Sequence, residues 1–350
     1  MIEVGEVAPD ERLAFFNAFG AAFSHVFKQE LVDELLLLFD ADVYRPFAAR
    51  SDGQIVGTGL DMHLDLTVAE GVTVPCRGIT WVSALPTHRR RGVMRALLRE
   101  HEAECRRQGA AASLLHSSQS GLYAGYGVAT RRARVTVSTP HAEFVDPPPE
   151  IELRMADPVA SLAACQAVWE RCRLTTPGFT TRPDPEISYT LKDLEGFCAF
   201  AGDDGYALYT VDRRWTGPNA EFQIKVQELM AATGEAYAAL WQYLCGLTHV
   251  VEVVANVRPI DEPLQHLIRQ PRRVDISHVN DGVWLKPYDR AALCAARGLS
   301  DPGPGVGDEA FANLLLGAFT PTSLARAGRI PEGAARDWVS AVVPWSPLEF

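Results

Sequence analysis

PTHRRRGVM, residues Pro86 to Met94, joins two unlike runs of sequence. Before it stands GITWVSAL (78–85), apolar and β-branched enough to read as a strand. After it, VMRALLREHEAECRRQG (93–109) sets Val93, Ala96, Leu97 and Cys105 along one helical face. The first backbone N–H groups of a helix lack intrahelical partners and carry partial positive charge. Gly92 would let an anion come close to them. Arg89, Arg90 and Arg91 add forked donors suited to phosphate oxygens. Strand, basic glycine loop and helix together read as a pyrophosphate cradle. The competing reading is a basic helix cap that binds nothing. The lysine and Ser/Thr of a P-loop are missing, which argues against nucleoside-triphosphate hydrolysis.

The rest of the chain makes this loop stand out. The 350 residues carry a formal net charge of −11, which argues against nucleic-acid binding and favours cationic partners. Apolar content of 47% supports packed cores, and the length allows two or three domains. No apolar run approaches the roughly 20 residues of a spanning helix, so no membrane partner is expected. The start, MIEVGEVAPDERLAFF, shows no secretory pattern. Seven cysteines without a CxxC pair support neither a disulfide framework nor a metal site. The expectation is a reduced, cytoplasmic protein without a metal.

Working outward, ERLAFFNAFGAAF and QELVDELLLLF read as helices. VYRPFAAR, QIVGTGLDMHLDLTV and VTVPCRGITWVSAL read as strands. AAASLLHSS is a short buried strand, QSGLYAGYGVAT a glycine- and aromatic-rich loop or short helix, and RARVTVST a closing strand of the same domain. DPPPE (146–150) is a stiff linker. A second mixed unit follows, from ASLAACQAVWERCR to DGVWLKPY, without a basic glycine loop. The expected domains are 1–145, 146–288 and a short piece, 289–350.

The loop resembles the Arg/Gln-x-x-Gly-x-Gly/Ala signature of the GCN5-related N-acetyltransferases (GNAT), with Met94 departing from the last small residue. VSALPTHRRRGVMRALL, LLHSSQSGLYAGYG, DGYALYTVDR, AALWQYLCGL, DEPLQHLI and DGVWLKPYDRAALCAARG more specifically resemble the Enhanced intracellular survival (Eis) acetyltransferases. The likeness runs from about Gln54 to Ala296. It implies an α/β (α+β) fold: two tandem GNAT-like mixed-sheet domains, then a short, reduced sterol-carrier-protein-like C-terminal region. It also implies acetyl-CoA or another acyl-CoA as cofactor, transfer to a primary amine of a small aminoglycoside-like molecule, and a homo-oligomer. Most strands of the family's C-terminal domain have no counterpart after RAALCAARGL.

By the same resemblance, Val82 and Ala84 pair with the pantetheine arm, and Arg89, Arg90, Gly92 and Val93 hold the pyrophosphate. Arg91 holds the adenosine phosphate or faces solvent, and Ser118 belongs to the cofactor site. Tyr123 matches the general acid, with Tyr126 as the alternative; the family has phenylalanine at the latter position. The α-carboxylate of Phe350 matches a terminal group that reaches the active site. Trp81, Thr80, Met62, His116 and Glu349 fall on acceptor-pocket positions, and His25 stands near an acidic residue of the family that has no match here.

Overall fold

A strand covered on both faces must be apolar on both, and Gln54–Ala69 is buried along most of its sixteen residues. It forms the centre of the first of two sheets. The computed structural model describes residues 2–27, 29–39, 43–140 and 142–348. In chain order the elements begin with β1 (Glu3–Glu6), α1 (Arg12–Ala22), α2 (Gln29–Leu38), β2 (Tyr44–Ser51), β3 (Gln54–Ala69) and β4 (Val72–Ala84). Then come α3 (Val93–Arg107), β5 (Ala112–Leu115), β6 (Gly127–Val128), β7 (Arg131–Ser138) and β8 (Leu153–Ala156). The second half continues with α4 (Leu162–Thr175), α5 (Asp184–Asp193), β9 (Phe197–Ala201), β10 (Gly205–Asp212), β11 (Trp215–Thr216), β12 (Asn219–Ala220) and β13 (Phe222–Ala231). It closes with α6 (Gly234–Cys245), β14 (Val250–Arg258), α7 (Leu264–Leu267), β15 (Val274–Asp281), β16 (Trp284–Pro287), α8 (Arg290–Ala296), α9 (Asp308–Leu315) and α10 (Pro321–Arg326).

The first sheet has the order β1-β2-β3-β4-β5-β16-β6, the second β15-β7-β14-β13-β10-β9-β8, and β11 and β12 form a separate ribbon. On one face of the first sheet, Val93 and Leu97 of α3 pack on Phe47, Val56, Ile79 and Leu115. The other face carries Phe15 and Phe16 of α1 and Phe311, Leu314 and Leu315 of α9 against Leu60, Met62 and Leu64. In the second sheet, Leu240, Trp241 and Leu244 of α6 cover Ile224 and Val253. Trp169 and Ile187 of α4 and α5 cover Phe200 and Tyr206.

Two expectations change here. RARVTVST was read as closing the first domain, but β7 lies in the second sheet between β14 and β15. DGVWLKPY was read as ending the second unit, but β16 lies in the first sheet and pairs with both β5 and β6. Boundaries at 145/146 and 288/289 therefore follow neither sheet. The described residues of the short C-terminal piece add to the cores of the two sheets. Leu293, Phe311, Leu315, Leu324 and Trp338 join the first sheet's core, and the described residues after Pro287 include three helices and no strand. No helix among the described residues is long and apolar enough to cross a membrane, and the seven cysteines are free thiols.

Candidate active site

β4 and β5 run parallel for three pairs, Cys76↔Ala112 to Gly78↔Leu114, and then part. From Ile79 to Ala84, β4 pairs with β3 on one side but not with β5 on the other. Backbone groups there are available to an extended ligand. The half-buried Val82 and Ala84 pack in one apolar cluster with Val93, Tyr123 and Tyr126.

Within the splayed stretch the pairing with β3 slips: Thr58 faces Ser83 but Leu60 faces Thr80. Gly59 thus stands opposite both Trp81 and Val82, a β-bulge. Trp81 has φ of +51°, an outlying conformation for a bulky residue. Thr58 Oγ1 braces it by donating to the Trp81 carbonyl at 2.7 Å. The bulge turns Trp81 away from α3 and into a set of rings on the opposite face. Phe19 stacks on Trp81 at 5.5 Å and on Phe27 at 5.9 Å, and Phe16 meets Trp81 edge-on at 5.5 Å. Phe15, Phe16 and Phe39 are buried, Phe19, Phe27 and Trp81 half-buried, and Phe23 is 56% exposed. The rings grade from core to open wall. Sequence reading missed Phe19 and Phe27 because phenylalanines at helical spacing look like core.

The arginine loop lies at the end of β4. Arg89, Arg90, Arg91 and Gly92 are exposed. Gly92, at φ of +85°, is the N-cap of α3, and no side chain caps that helix start. The first turn of α3 holds no acidic residue to compete with a bound anion. Arg89 donates a long hydrogen bond, 3.5 Å, to the Ala22 carbonyl; an uncapped helix start, a glycine and exposed guanidiniums fit a pyrophosphate. Ser118, also exposed, follows β5.

Tyr123 ends a short 3-10 turn, Ser120–Leu122. It is 8% exposed. Burial raises its phenol above the ordinary value, so at neutral pH it keeps its proton and can donate it. Tyr126 packs edge-on against it at 6.1 Å. The next residue, Gly127, sits so close to α9 that a Cβ there would overlap the Glu309 carbonyl. The C-terminal helices therefore clamp the tyrosine loop.

The other expected pocket residues are dispersed. Thr80 and His116 are half-buried, His116 just past the end of β5. Met62 is 2% exposed and belongs to the core. His25 is exposed and packs edge-on against Phe27 at 4.6 Å. Glu349 and Phe350 lie outside the described residues. Just before them, Leu348 is buried beside Ile187 and Leu191 of α5, and Trp345 packs edge-on against Phe179 at 5.2 Å.

Two stretches match family models described as acetyltransferase (GNAT) domains, residues 3–130 and 165–287. N-acetyltransferase Eis of Mycobacterium tuberculosis is 34% identical over 261 residues, 70% of this chain and 63% of the relative; with its two GNAT domains the chain is a GNAT acetyltransferase that resembles the Eis type. The match spans less than two thirds of that relative's length. An uncharacterized N-acetyltransferase of Streptomyces avermitilis is 29% identical over 84% of this chain and 87% of its own. Among solved structures, Eis1 of Mycobacterium abscessus superposes with a TM-score of 0.87 at 25% identity, over 99% of this chain and 100% of its own.

Proposed function

We propose that the protein is an acetyl-CoA-dependent N-acetyltransferase acting on a primary amine of a small cationic, aminoglycoside-like molecule, by direct transfer in a ternary complex. One observation carries the reading: the splayed β4 edge, the start of α3 and Tyr123 share a single packed cluster. Bound there, acetyl-CoA supplies an acetyl group activated as a thioester. The backbone of Val82 and Ala84 holds the pantetheine arm, and an N–H there stabilises negative charge developing on the carbonyl oxygen. Arg89, Arg90 and the Gly92–Val93 backbone hold the pyrophosphate. Tyr123 holds its proton for the departing sulfur. The aromatic wall around Trp81 faces the acceptor. Family likeness further supports a homo-oligomer, which sedimentation would test.

The half-exposed rings of Phe19, Phe27 and Trp81 also favour a second reading, a longer acyl-CoA donor. Thiol release from acetyl-CoA and longer donors, measured across a panel of amines, separates the two. No release with any pair would overturn both and leave a binding protein. Tyr123→Phe should retain the fold and lose about 10²–10⁴-fold in turnover.

A further inference from the structure

Beneath the tyrosine loop lies a run of polar groups that the proposed chemistry does not use. Asp61 of β3, His101 of α3 and Ser113 of β5 are all buried, at 0% exposure each, and Tyr126 is at 5%. Asp61 Oδ1 bonds His101 Nδ1. His101 Nε2 lies 2.6 Å from Ser113 Oγ, and Ser113 Oγ lies 2.7 Å from the Tyr126 hydroxyl. Arg45 donates to Asp61 Oδ2 at 3.1 Å and ties the far end to Glu100 at 3.0 Å. With Asp61 ionised the donors fall into one direction. Nδ1–H of His101 donates to Asp61, Ser113 donates to Nε2, and Tyr126 donates to Ser113. Every hydroxyl then has an acceptor, the condition for a buried polar run to rigidify its surroundings.

Ser113 lies one pair before β4 and β5 part, opposite Arg77. Its partner Tyr126 stands three residues after Tyr123, donates its backbone N–H to the Tyr123 carbonyl at 3.3 Å, and packs its ring edge-on against the Tyr123 ring. The run therefore anchors the strand beside the cleft to the loop that carries the proton donor. A serine and histidine this buried, with no open approach, are not placed to attack a substrate.

We propose that Asp61, His101, Ser113 and Tyr126 form a positioning device for Tyr123: the run fixes Tyr126, and the Tyr126 ring holds the Tyr123 hydroxyl toward the β4–β5 cleft. The inference rests on Tyr123 as the proton donor. Small displacements of a reacting group cost up to about 10²-fold in rate, so freeing the anchor should cost about 10-fold.

The experiment is a double-mutant cycle with Tyr126→Phe and Tyr123→Phe, read as kcat, KM for acetyl-CoA and melting temperature. Tyr126→Phe is expected to lower kcat about 10-fold with KM for acetyl-CoA unchanged and melting within a few degrees of the parent. In the Tyr123→Phe background the same change should cost less than twofold, because a missing hydroxyl cannot be misplaced. Ser113→Ala should reproduce the kcat loss. Equal losses in both backgrounds, or no kcat loss on removing the Tyr126 hydroxyl, would overturn the positioning role. A normal Tyr123→Phe with a slow Tyr126→Phe would instead overturn the assignment of the donor.

Discussion

In the first domain β4 leads through Leu85–Gly92 into α3 and on to β5; in the second, β13 leads through Ala232 and Thr233 into α6 and on to β14. Both strand pairs are parallel and both part, after Gly78↔Leu114 and after Val226↔Ala255. The difference is what fills the gap. In the second domain Arg258, 4% exposed, donates to the Leu229 carbonyl at 2.7 Å, pairs with Glu262 and lies 5.1 Å from the Trp345 ring. The start of α6 is capped by the Thr233 hydroxyl, which accepts from Ala236, and Glu235 adds negative charge in its first turn. The same architecture thus leaves one helix start open to an anion, and closes the other with side chains from the chain itself.

The largest effect should come from emptying the filled gap. Arg258→Ala leaves Glu262 buried without its cation, and breaking such a pair costs about 3–5 kcal/mol. Chemical denaturation measures it, and acetyl-CoA affinity of the folded fraction should stay unchanged. The converse variant, Arg89→Ala with Arg90→Ala, should weaken CoA binding roughly 10- to 100-fold in a calorimetric titration while leaving stability alone, since both side chains are exposed. Unchanged affinity would reduce the first loop to a basic cap.

Inward charge also makes the second domain sensitive to pH. The Oε2 of Glu186 is buried without a hydrogen-bond partner. Burial pushes its carboxyl up to about 7 from 4.5, although the Arg182 guanidinium pulls the other way. A folded-state value above the unfolded one means the contribution of Glu186 to stability is fullest below about pH 4.5 and is lost as pH rises through about 7. Glu186→Gln should therefore stabilise by about 1–3 kcal/mol at pH 8 and change little at pH 4.5, seen as a melting shift. The smallest effect concerns the second helix start. Thr233→Ala should cost about 1 kcal/mol and leave CoA binding untouched.

The arginine-glycine loop was legible because its chemistry is local: charge, glycine and helix start are adjacent in sequence. The second helix start was equally local, yet nothing in it revealed that Arg258 would reach across. RARVTVS shows the alternation of a strand but not its partner, because alternation fixes which face is buried and leaves the neighbour open. The Trp81 bulge depends on a register slip that no single strand reveals. His101 left one trace: Val93, Leu97, His101 and Cys105 form a single row at intervals of four, so a histidine stands in an apolar line. The partners of that histidine come from β3 and β5, and only the folded sheet brings them to it.

The strand exchange has a consequence for how the chain is made. The gap between β5 and β6 is filled by β16, whose residues follow Leu115 by about 170 positions. A ribosome therefore delivers nearly the whole second domain before the first can close its sheet. Until then β5 and β6 expose unpaired edges, and the apolar face meant for α9 stays uncovered. Such distant pairing slows folding and lengthens the time in which half-finished chains can associate with one another. A fragment ending at Val128 would carry the whole arginine loop and both tyrosines, yet leave β5 and β6 without the strand that joins them.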